Sequence, residues 1–158
     1  MSHTEIERKF LVTDFGWKQP GHGCRYRQAY LSTDKQRVVR VRVVDDHAWL
    51  TIKGQSAGIS RLEFEYEIPR PDAEIMLQFL CHQPVIDKTR YRVEHAGHTW
   101  EIDEFHGDNR GLVVAEIELQ TEDESFERPE WLGEEVSDDP RYFNSNLIAH
   151  PYREWGRN

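Results

Sequence analysis

Hydrophobic and polar residues alternate with a period of two along most of the chain, in short runs separated by Gly, Pro, Asp and His. This alternation is typical of β-strands, because successive side chains of a strand point to opposite faces of its sheet. Short connections, such as residues 45–47, favour antiparallel hairpins. The pattern predicts eight strands, at about 4–12, 25–32, 37–45, 48–54, 60–69, 85–94, 98–106 and 112–121.

Two segments depart from this alternation. After the fifth strand, Pro71 and Asp72 open a stretch with apolar residues at helical spacing, so we expect an amphipathic helix that is capped by Asp72 and covers part of the sheet. Its apolar positions are Ile75, Met76, Phe79 and Leu80. After Gln120 the chain becomes acidic and aromatic, which predicts one or two short helices that cover or plug the sheet. The length fits one domain, residues 1–158.

One face of nearly every predicted strand is charged and the other face is apolar. The charged positions are Glu5, Glu7, Lys9, Arg40, Arg42, Lys53, Arg61, Glu63, Glu65, Glu67, Lys88, Arg90, Arg92, Glu101, Asp103, Glu116 and Glu118. Bases dominate the third, fourth and sixth strands, whereas the first, seventh and eighth carry pairs of carboxylates. The solvated face of an ordinary sheet explains the alternation but not this sorting. We therefore predict a mainly β (α+β) protein, an eight-stranded antiparallel closed β-barrel with a polar tunnel and a few covering helices.

Seventeen charges in a narrow interior must pair, hold water or meet a highly charged ligand, because isolated buried charges are costly. Clustered Lys and Arg bind phosphate oxygens. Clustered carboxylates without Cys or His suit Mg²⁺ or Mn²⁺. A tunnel with both predicts a polyanion bridged to a divalent metal, such as tripolyphosphate or a nucleoside triphosphate.

The composition restricts the partners and the location. A formal net charge of −9 argues against binding to nucleic acid or to an anionic membrane through bulk electrostatics. The sequence has no apolar stretch of about 18 residues and no apolar export segment at its N-terminus, so we expect a cytoplasmic protein with no membrane partner. Cys24 and Cys81 form no C-x-x-C pair, and we expect both to be reduced.

The segment Glu5-Ile6-Glu7-Arg8-Lys9 resembles the E-x-E-x-K signature of the CYTH superfamily, the triphosphate tunnel metalloenzymes. The family's order continues with Arg40-x-Arg42, Lys53, Glu63-x-Glu65, Lys88-x-Arg90, Asp103 and Glu116-x-Glu118. Residues 133–144 also resemble the ending of short bacterial members. E-x-E-x-K alone is a weak pattern, whereas the complete ordered series is specific and spans almost the whole chain.

The resemblance implies a tunnel that binds triphosphate compounds with a divalent metal and usually hydrolyses them. It implies phosphate binding by Lys9, Arg40, Arg42, Lys53, Lys88 and Arg90. It implies metal binding by Glu5, Glu7, Asp103, Glu116 and Glu118. Our mechanistic hypothesis gives catalytic roles to Lys9, Lys88 and Glu116. Glu63 and Glu65 are expected in the lumen, although Glu65 and Glu67 could be the matching pair instead.

The leading functional prediction is metal-dependent hydrolysis of inorganic tripolyphosphate. The alternatives are cyclisation of ATP to cyclic AMP, hydrolysis of thiamine or nucleoside triphosphates, and a polyphosphate-binding module without turnover. Packed carboxylates should have raised pKa values in the absence of metal, which predicts an alkaline pH optimum. Both a monomer and a homodimer agree with the sequence.

Several other motifs have simpler interpretations. Residues 54–58 match G-x-S-x-G, but a strand pattern follows where a nucleophile elbow needs a helix. Ala-Gly between His95 and His98 indicates a turn rather than a zinc site. Gln28 and Tyr30 share one face of the second strand, where they could form hydrogen bonds in the lumen or be ordinary strand residues. Trp49 could belong to the core or cover, or could line the lumen.

Overall fold

Eight antiparallel strands close into a barrel in the computed structural model, which describes residues 3–19 and 21–156. The strands are β1 (Thr4–Val12), β2 (Cys24–Ser32), β3 (Arg37–Val44), β4 (His47–Gly54), β5 (Ser60–Ile68), β6 (Ile86–His95), β7 (His98–Phe105) and β8 (Val113–Glu118). They pair in the order β5-β4-β3-β2-β6-β7-β8-β1, and residues 4–6 of β1 pair with residues 60–62 of β5. The predicted eight-stranded antiparallel barrel is therefore confirmed.

Tight turns connect the two strands of the β3–β4 and β6–β7 hairpins. Asp45 has a φ of 52°, and Ala96 and Gly97 have φ values of 49° and 83°. Positive φ angles at these positions match the right-handed twist of the flanking strands. His95 and His98 thus flank a hairpin turn, and residues 54–58 lead from β4 towards β5 rather than into a helix.

Helix α1 (Arg70–Phe79) packs on β2, β3 and β4. It begins one residue before Pro71, with Pro69 at the N-cap position and no side-chain hydrogen bond to the cap. The expected cap by Asp72 is wrong, because Asp72 already lies inside the first turn and a capping residue must lie outside the helix. Ala73 and Leu77 form the buried face of the helix, so the predicted apolar face is wrong: Ile75, Phe79 and Leu80 are exposed.

A ninth strand, β9 (Leu132–Glu135), pairs with the second half of β1. The sequence pattern predicted only short helices in this region. A strand of four residues is too short to show alternation, and its position depends on close backbone contact. A Cβ atom at Gly133 would lie 2.9 Å from the carbonyl oxygen of Leu11.

The remaining helices of the described residues are short. They are α2 (Asn146–Ala149) and three 3₁₀ helices at Gly107–Asn109, Pro140–Tyr142 and Tyr152–Glu154. Among the helices of the described residues, none has the length and apolar character needed to cross a membrane.

The C-terminal segment, residues 142–155, fills one end of the barrel, and we call it the C-terminal plug. At this end the strand residues that share a face with the lumen charges are apolar. They are Tyr30, Val38, Ile86, Phe105 and Val114. They form one buried cluster with Tyr142, Leu147, Ile148 and Trp155 of the plug. The barrel interior is therefore a lumen that an apolar core closes at one end.

Candidate active site

The lumen contains a cavity of about 300 Å³ with a charged lining. Fifteen of the seventeen charged positions predicted by strand parity line it, eight bases and seven acids. The two that do not are Asp103 and Glu67. Glu67 is exposed at the end of β5, where its Oε2 lies 2.7 Å from His47 Nδ1. The strand-five carboxylates of the lumen are thus Glu63 and Glu65.

The cavity runs from a buried end to an open end. Along β6 the exposed fraction of the lumen side chains is 1% at Lys88, 8% at Arg90 and 65% at Arg92. Lys88 lies next to the plug, because its Nζ donates to Asn144 Oδ1 at 2.8 Å. The cavity therefore opens to solvent on the Arg92 side.

Asp103 is buried behind the lining and is bound by two bases. Its Oδ2 accepts a hydrogen bond from Lys88 Nζ at 2.7 Å, and Arg90 donates to both oxygens at 2.8 and 2.9 Å. Burial would raise the pKa of Asp103, but the positive charges of Arg90 and Lys88 outweigh burial and lower the pKa to about 2. Asp103 thus holds the two bases in position.

Lys88 has an unusually low pKa for a lysine. Burial is the largest effect, and together with the charges of Arg90 and Arg42 it outweighs Asp103 and lowers the pKa to about 7. Lys9 behaves differently. Burial would lower its pKa, but Glu116, 3.4 Å away, and Glu7 outweigh burial and raise it. Lys9 therefore stays charged near neutral pH, whereas Lys88 can gain or lose a proton.

Four carboxylates from β1 and β8 lie in the lumen: Glu5, Glu7, Glu116 and Glu118. Burial and the negative charges of Glu116 and Glu5 raise the pKa of Glu7 well above its ordinary value. Burial, Glu5 and Glu101 raise that of Glu118. For Glu116, Lys9 and Arg90 outweigh burial and lower the pKa. Of these two neighbours, Glu7 is therefore protonated more easily than Glu116.

Glu5 and Glu63 form a second acidic pair. Glu5 accepts a hydrogen bond from Lys53 Nζ at 3.1 Å. Burial would raise the pKa of Glu5, but Lys53 and a hydrogen bond from Glu63 outweigh burial and lower it to about 2. Burial and the same contact raise the pKa of Glu63 to about 7.

The donor chemistry of these carboxylates fits a hard divalent cation. A cation among them would relieve the repulsion that raises the pKa values of Glu7 and Glu118. Across residues 3–19 and 21–156, no three His, Cys, Asp or Glu side chains converge as a ready-made metal site. Glu5 and Glu116 are paired with bases instead.

Six bases of the cavity lining, which we call the basic wall, include donors suited to an anion: Lys9, Arg40, Arg42, Lys53, Lys88 and Arg90. Arg40 Nε is buried and makes no hydrogen bond to any described residue. Burial and the charges of Arg40 and Arg90 lower the pKa of Arg42 to about 9. The guanidinium groups of Arg42 and Arg90 both lie 4.9 Å from the centre of the Tyr26 ring. A bound polyanion would compensate this excess of positive charge.

Polar side chains connect the basic wall to the plug. Gln28 and Tyr30 line the cavity, and Gln28 Nε2 donates to Tyr30 Oη and to Asn144 Oδ1, both at 3.1 Å. Gln28 Oε1 accepts from Arg42 Nε at 2.8 Å. Trp49 also lines the cavity.

Sequence reasoning missed Tyr26 and Asn144 as site residues. Tyr26 has the same strand parity as Gln28 and Tyr30, so that signal was present in the sequence. Asn144 lies in an irregular segment where periodicity carries no information, and only its position in the family-like ending marked it.

Comparisons with known proteins agree with this geometry. A CYTH domain matches residues 3–152. The chain is 53% identical to the inorganic triphosphatase of Acetivibrio thermocellus, over 96% of this chain and 97% of that protein. It is 37% identical to the inorganic triphosphatase of Nitrosomonas europaea, over 91% and 96% of the two chains.

Solved structures share the fold. The crystal structure of the inorganic triphosphatase NE1496 matches with a TM-score of 0.65 and 34% identity, covering 91% of this chain and 93% of that one. A Bacillus halodurans protein matches with a TM-score of 0.60 and 16% identity, covering 76% of this chain and 83% of that one. At this identity the match supports a shared fold only.

Proposed function

Because the chain belongs to the CYTH family, we propose that it hydrolyses inorganic tripolyphosphate to diphosphate and phosphate with the help of a divalent metal. The observation that carries the proposal is the barrel lumen, closed at one end, in which eight bases and seven acids surround a cavity of about 300 Å³. The family implies a divalent metal, and we propose Mg²⁺ or Mn²⁺. Unpaired Cys24 and Cys81 agree with a cytoplasmic location.

The basic wall would hold the phosphates. The residues proposed for this are Lys9, Arg40, Arg42, Lys53, Lys88 and Arg90, all of which line the cavity. The buried, unpartnered Nε of Arg40 supports this role, since a phosphate oxygen would satisfy it. Such positioning and charge neutralisation supply most of the acceleration in phosphoryl transfer.

Four carboxylates would hold the metal: Glu5, Glu7, Glu116 and Glu118. A divalent metal, when bound, neutralises phosphate charge and activates water. Asp103 is less suited than the resemblance implies, because both of its oxygens accept hydrogen bonds from Lys88 and Arg90. We assign it the positioning of these two bases.

Lys88 and Lys9 would have different roles in hydrolysis. Water attacks a terminal phosphorus, and the bond from that phosphorus to its bridging oxygen breaks. Lys88 Nζ, with a pKa of about 7, donates a proton to the leaving oxygen, and the permanently charged Lys9 stabilises the developing negative charge. Glu116 keeps Lys9 in place through their ion pair.

The test is phosphate release from tripolyphosphate, ATP and thiamine triphosphate, each with Mg²⁺, Mn²⁺ or EDTA, with cyclic AMP measured in the ATP samples. We expect fast, metal-dependent release from tripolyphosphate. Cyclic AMP formation would make the protein a cyclase, and preferential release from an organic substrate would make it an organic triphosphatase. Binding of tripolyphosphate without release would indicate a binding module.

A further inference from the structure

Two guanidinium groups of the basic wall share one aromatic neighbour, Tyr26. We propose that Tyr26 is a positioning residue of the active site, whose ring holds Arg42 and Arg90 by cation–π contacts in the direction in which they meet the phosphates. Tyr26 acts through these two arginines and makes no contact of its own with the substrate. This inference rests on the proposed function, because it concerns the same lumen.

Strand pairing places Tyr26 between the two arginines. Strand β2 lies between β3 and β6, and Tyr26 is opposite Val44 on β3 and Lys88 on β6. Arg42 and Arg90 are each two residues away from these partners, so both are diagonal neighbours of Tyr26. Long side chains reach their diagonal neighbours across antiparallel strands. The two guanidinium groups therefore approach the ring from strands on opposite sides of β2.

The contacts have the geometry of cation–π interactions. The central carbon of each guanidinium group lies 4.9 Å from the centre of the Tyr26 ring. A cation within about 6 Å of a ring centre is attracted by the negative charge of the ring face, and more strongly where water is excluded. Water is largely excluded here, because Tyr26 and Arg90 are both 8% exposed. Both contacts should therefore help to fix the direction of the arginine side chains.

Arg42 depends on the Tyr26 ring more than Arg90 does. Arg90 donates hydrogen bonds to both oxygens of Asp103. No carboxylate of the described residues forms an ion pair with Arg42, whose Nε donates to Gln28 Oε1 at 2.8 Å. The positive charge of Arg90 also repels Arg42. Removal of the ring should therefore displace Arg42 first.

An aromatic ring suits a phosphate site better than a carboxylate would. A carboxylate between Arg42 and Arg90 would also orient them, but its negative charge would repel a polyanion and it would accept the same N–H groups. The ring face attracts cations without carrying a net charge, and it takes up none of the N–H donors as a hydrogen-bond acceptor would. Tyr26 lines the cavity, so its ring lies where phosphates would bind.

The first experiment compares Tyr26→Phe, which keeps the ring, with Tyr26→Leu, which removes it. Calorimetry measures the binding of tripolyphosphate to the full chain in EDTA, where no metal contributes. We expect Tyr26→Phe to bind within about threefold of the wild-type affinity and Tyr26→Leu to bind about 20-fold more weakly. Equal losses in the two variants would mean that the hydroxyl group contacts the substrate, and an unchanged affinity in Tyr26→Leu would mean that the ring holds neither arginine. Either result would overturn the proposal.

Tyr91→Leu is the matched control. Tyr91 is 8% exposed, as Tyr26 is, but it does not line the lumen cavity, and its ring centre lies 5.4 Å from that of Trp17. This variant should lower the temperature of thermal unfolding and keep the wild-type affinity for tripolyphosphate. A similar loss of affinity in Tyr91→Leu would mean that lost packing explains the effect of Tyr26→Leu, and it would overturn the proposal.

The second experiment tests whether Tyr26 acts through Arg42. In an Arg42→Met background one of the two cations is already absent, so Tyr26→Leu should weaken tripolyphosphate binding less than about fivefold instead of about 20-fold. Residues in contact give such non-additive effects, whereas independent residues do not. Fully additive effects of the two substitutions would contradict an action through Arg42.

A trifluorinated phenylalanine in place of Tyr26 tests the contact even if Tyr26→Leu fails to fold. It keeps the shape of the ring, but fluorine withdraws the negative charge from the ring face, so it should bind tripolyphosphate at least about fivefold more weakly than Tyr26→Phe. Equal affinities of these two variants would overturn the proposal. Binding of tripolyphosphate by the wild-type protein without phosphate release would contradict the proposed function alone, because the affinities of the variants still test the role of Tyr26.

Discussion

Lys88 and Lys9 lie in one lumen, yet their surroundings move their pKa values in opposite directions. The difference comes from their partners: Lys88 lies beside Arg90 and Arg42 as well as Asp103, whereas Lys9 has Glu116 and Glu7. Parity along the strands predicted that both lysines face the lumen. It could not predict their protonation, which depends on neighbours from other strands.

Lys88 should take up a proton when tripolyphosphate binds. At pH 8 a lysine with a pKa of about 7 is mostly neutral, and the bound polyanion raises its pKa, so binding should draw in about one proton. Calorimetry in metal-free buffers of different ionisation enthalpy measures this uptake. The difference between the wild-type protein and Lys88→Met isolates the contribution of this residue, and equal uptake by both would contradict the pKa assignment.

Asp103→Asn distinguishes a positioning role from metal binding. It removes the carboxylate that pairs with Lys88 and Arg90, so we expect turnover to fall at least about 100-fold and the free energy of unfolding to fall by about 3 kcal/mol. Mn²⁺ affinity, measured by calorimetry, should change less than about threefold. Glu116→Gln is the comparison and should lose Mn²⁺ affinity. Loss of Mn²⁺ binding in Asp103→Asn would instead show that Asp103 is a metal ligand.

Glu7 should make metal binding depend on pH. Its pKa is raised, so a proton competes with the metal, and Mn²⁺ affinity should fall about tenfold as the pH decreases from 8 to 6. This competition supports the predicted alkaline optimum. Glu7→Gln should weaken the dependence, which the raised pKa of Glu118 partly maintains, while Glu65→Gln, which alters a partner of Arg40, should leave it unchanged. A pH-independent affinity in the wild-type protein would refute the assignment.

At the scale of elements, the regular strands were predictable and the C-terminal segment was not. The eight long strands alternate clearly, because one face of each lines the charged barrel interior and the other face is mostly apolar. Strand β9 has only four residues, and it exists because Gly133 allows its backbone to approach Leu11. The plug depends on contacts between residues far apart in the sequence, which local patterns do not record.

Gly133→Ala should weaken the pairing of β9 with β1. The added Cβ would lie 2.9 Å from the Leu11 carbonyl oxygen, so one strand must move, and we expect a loss of about 1–3 kcal/mol in the free energy of unfolding by urea. Gly54→Ala is the control, since its Cβ would meet Leu62 at an ordinary 3.5 Å. Equal unfolding free energies of the two variants would mean that β9 accommodates the added methyl group without loss of stability.

At the scale of the whole molecule, the lumen and the rest of the chain have different charges. The chain has a net charge of −9, but the cavity lining has one more base than acid. The sorting of acidic and basic residues by strand predicts a charged interior of this kind. Glu67 and Asp103 share the parity of the lining but lie outside it, because parity specifies a face of the sheet and not how far the cavity extends.

Closure of the barrel through β1 also has a consequence for biosynthesis. Arg8 of β1 pairs with Ile117 of β8, more than 100 residues later, and β9 pairs with β1 later still. Residues 4–6 of β1 can pair with β5 earlier, but the longer pairing of β1 with β8 must wait until β8 has been synthesised. Such long-range pairing makes folding slow. Until then Glu7 lacks its partner Glu118 on β8, so the acidic half of the lumen is completed late in folding.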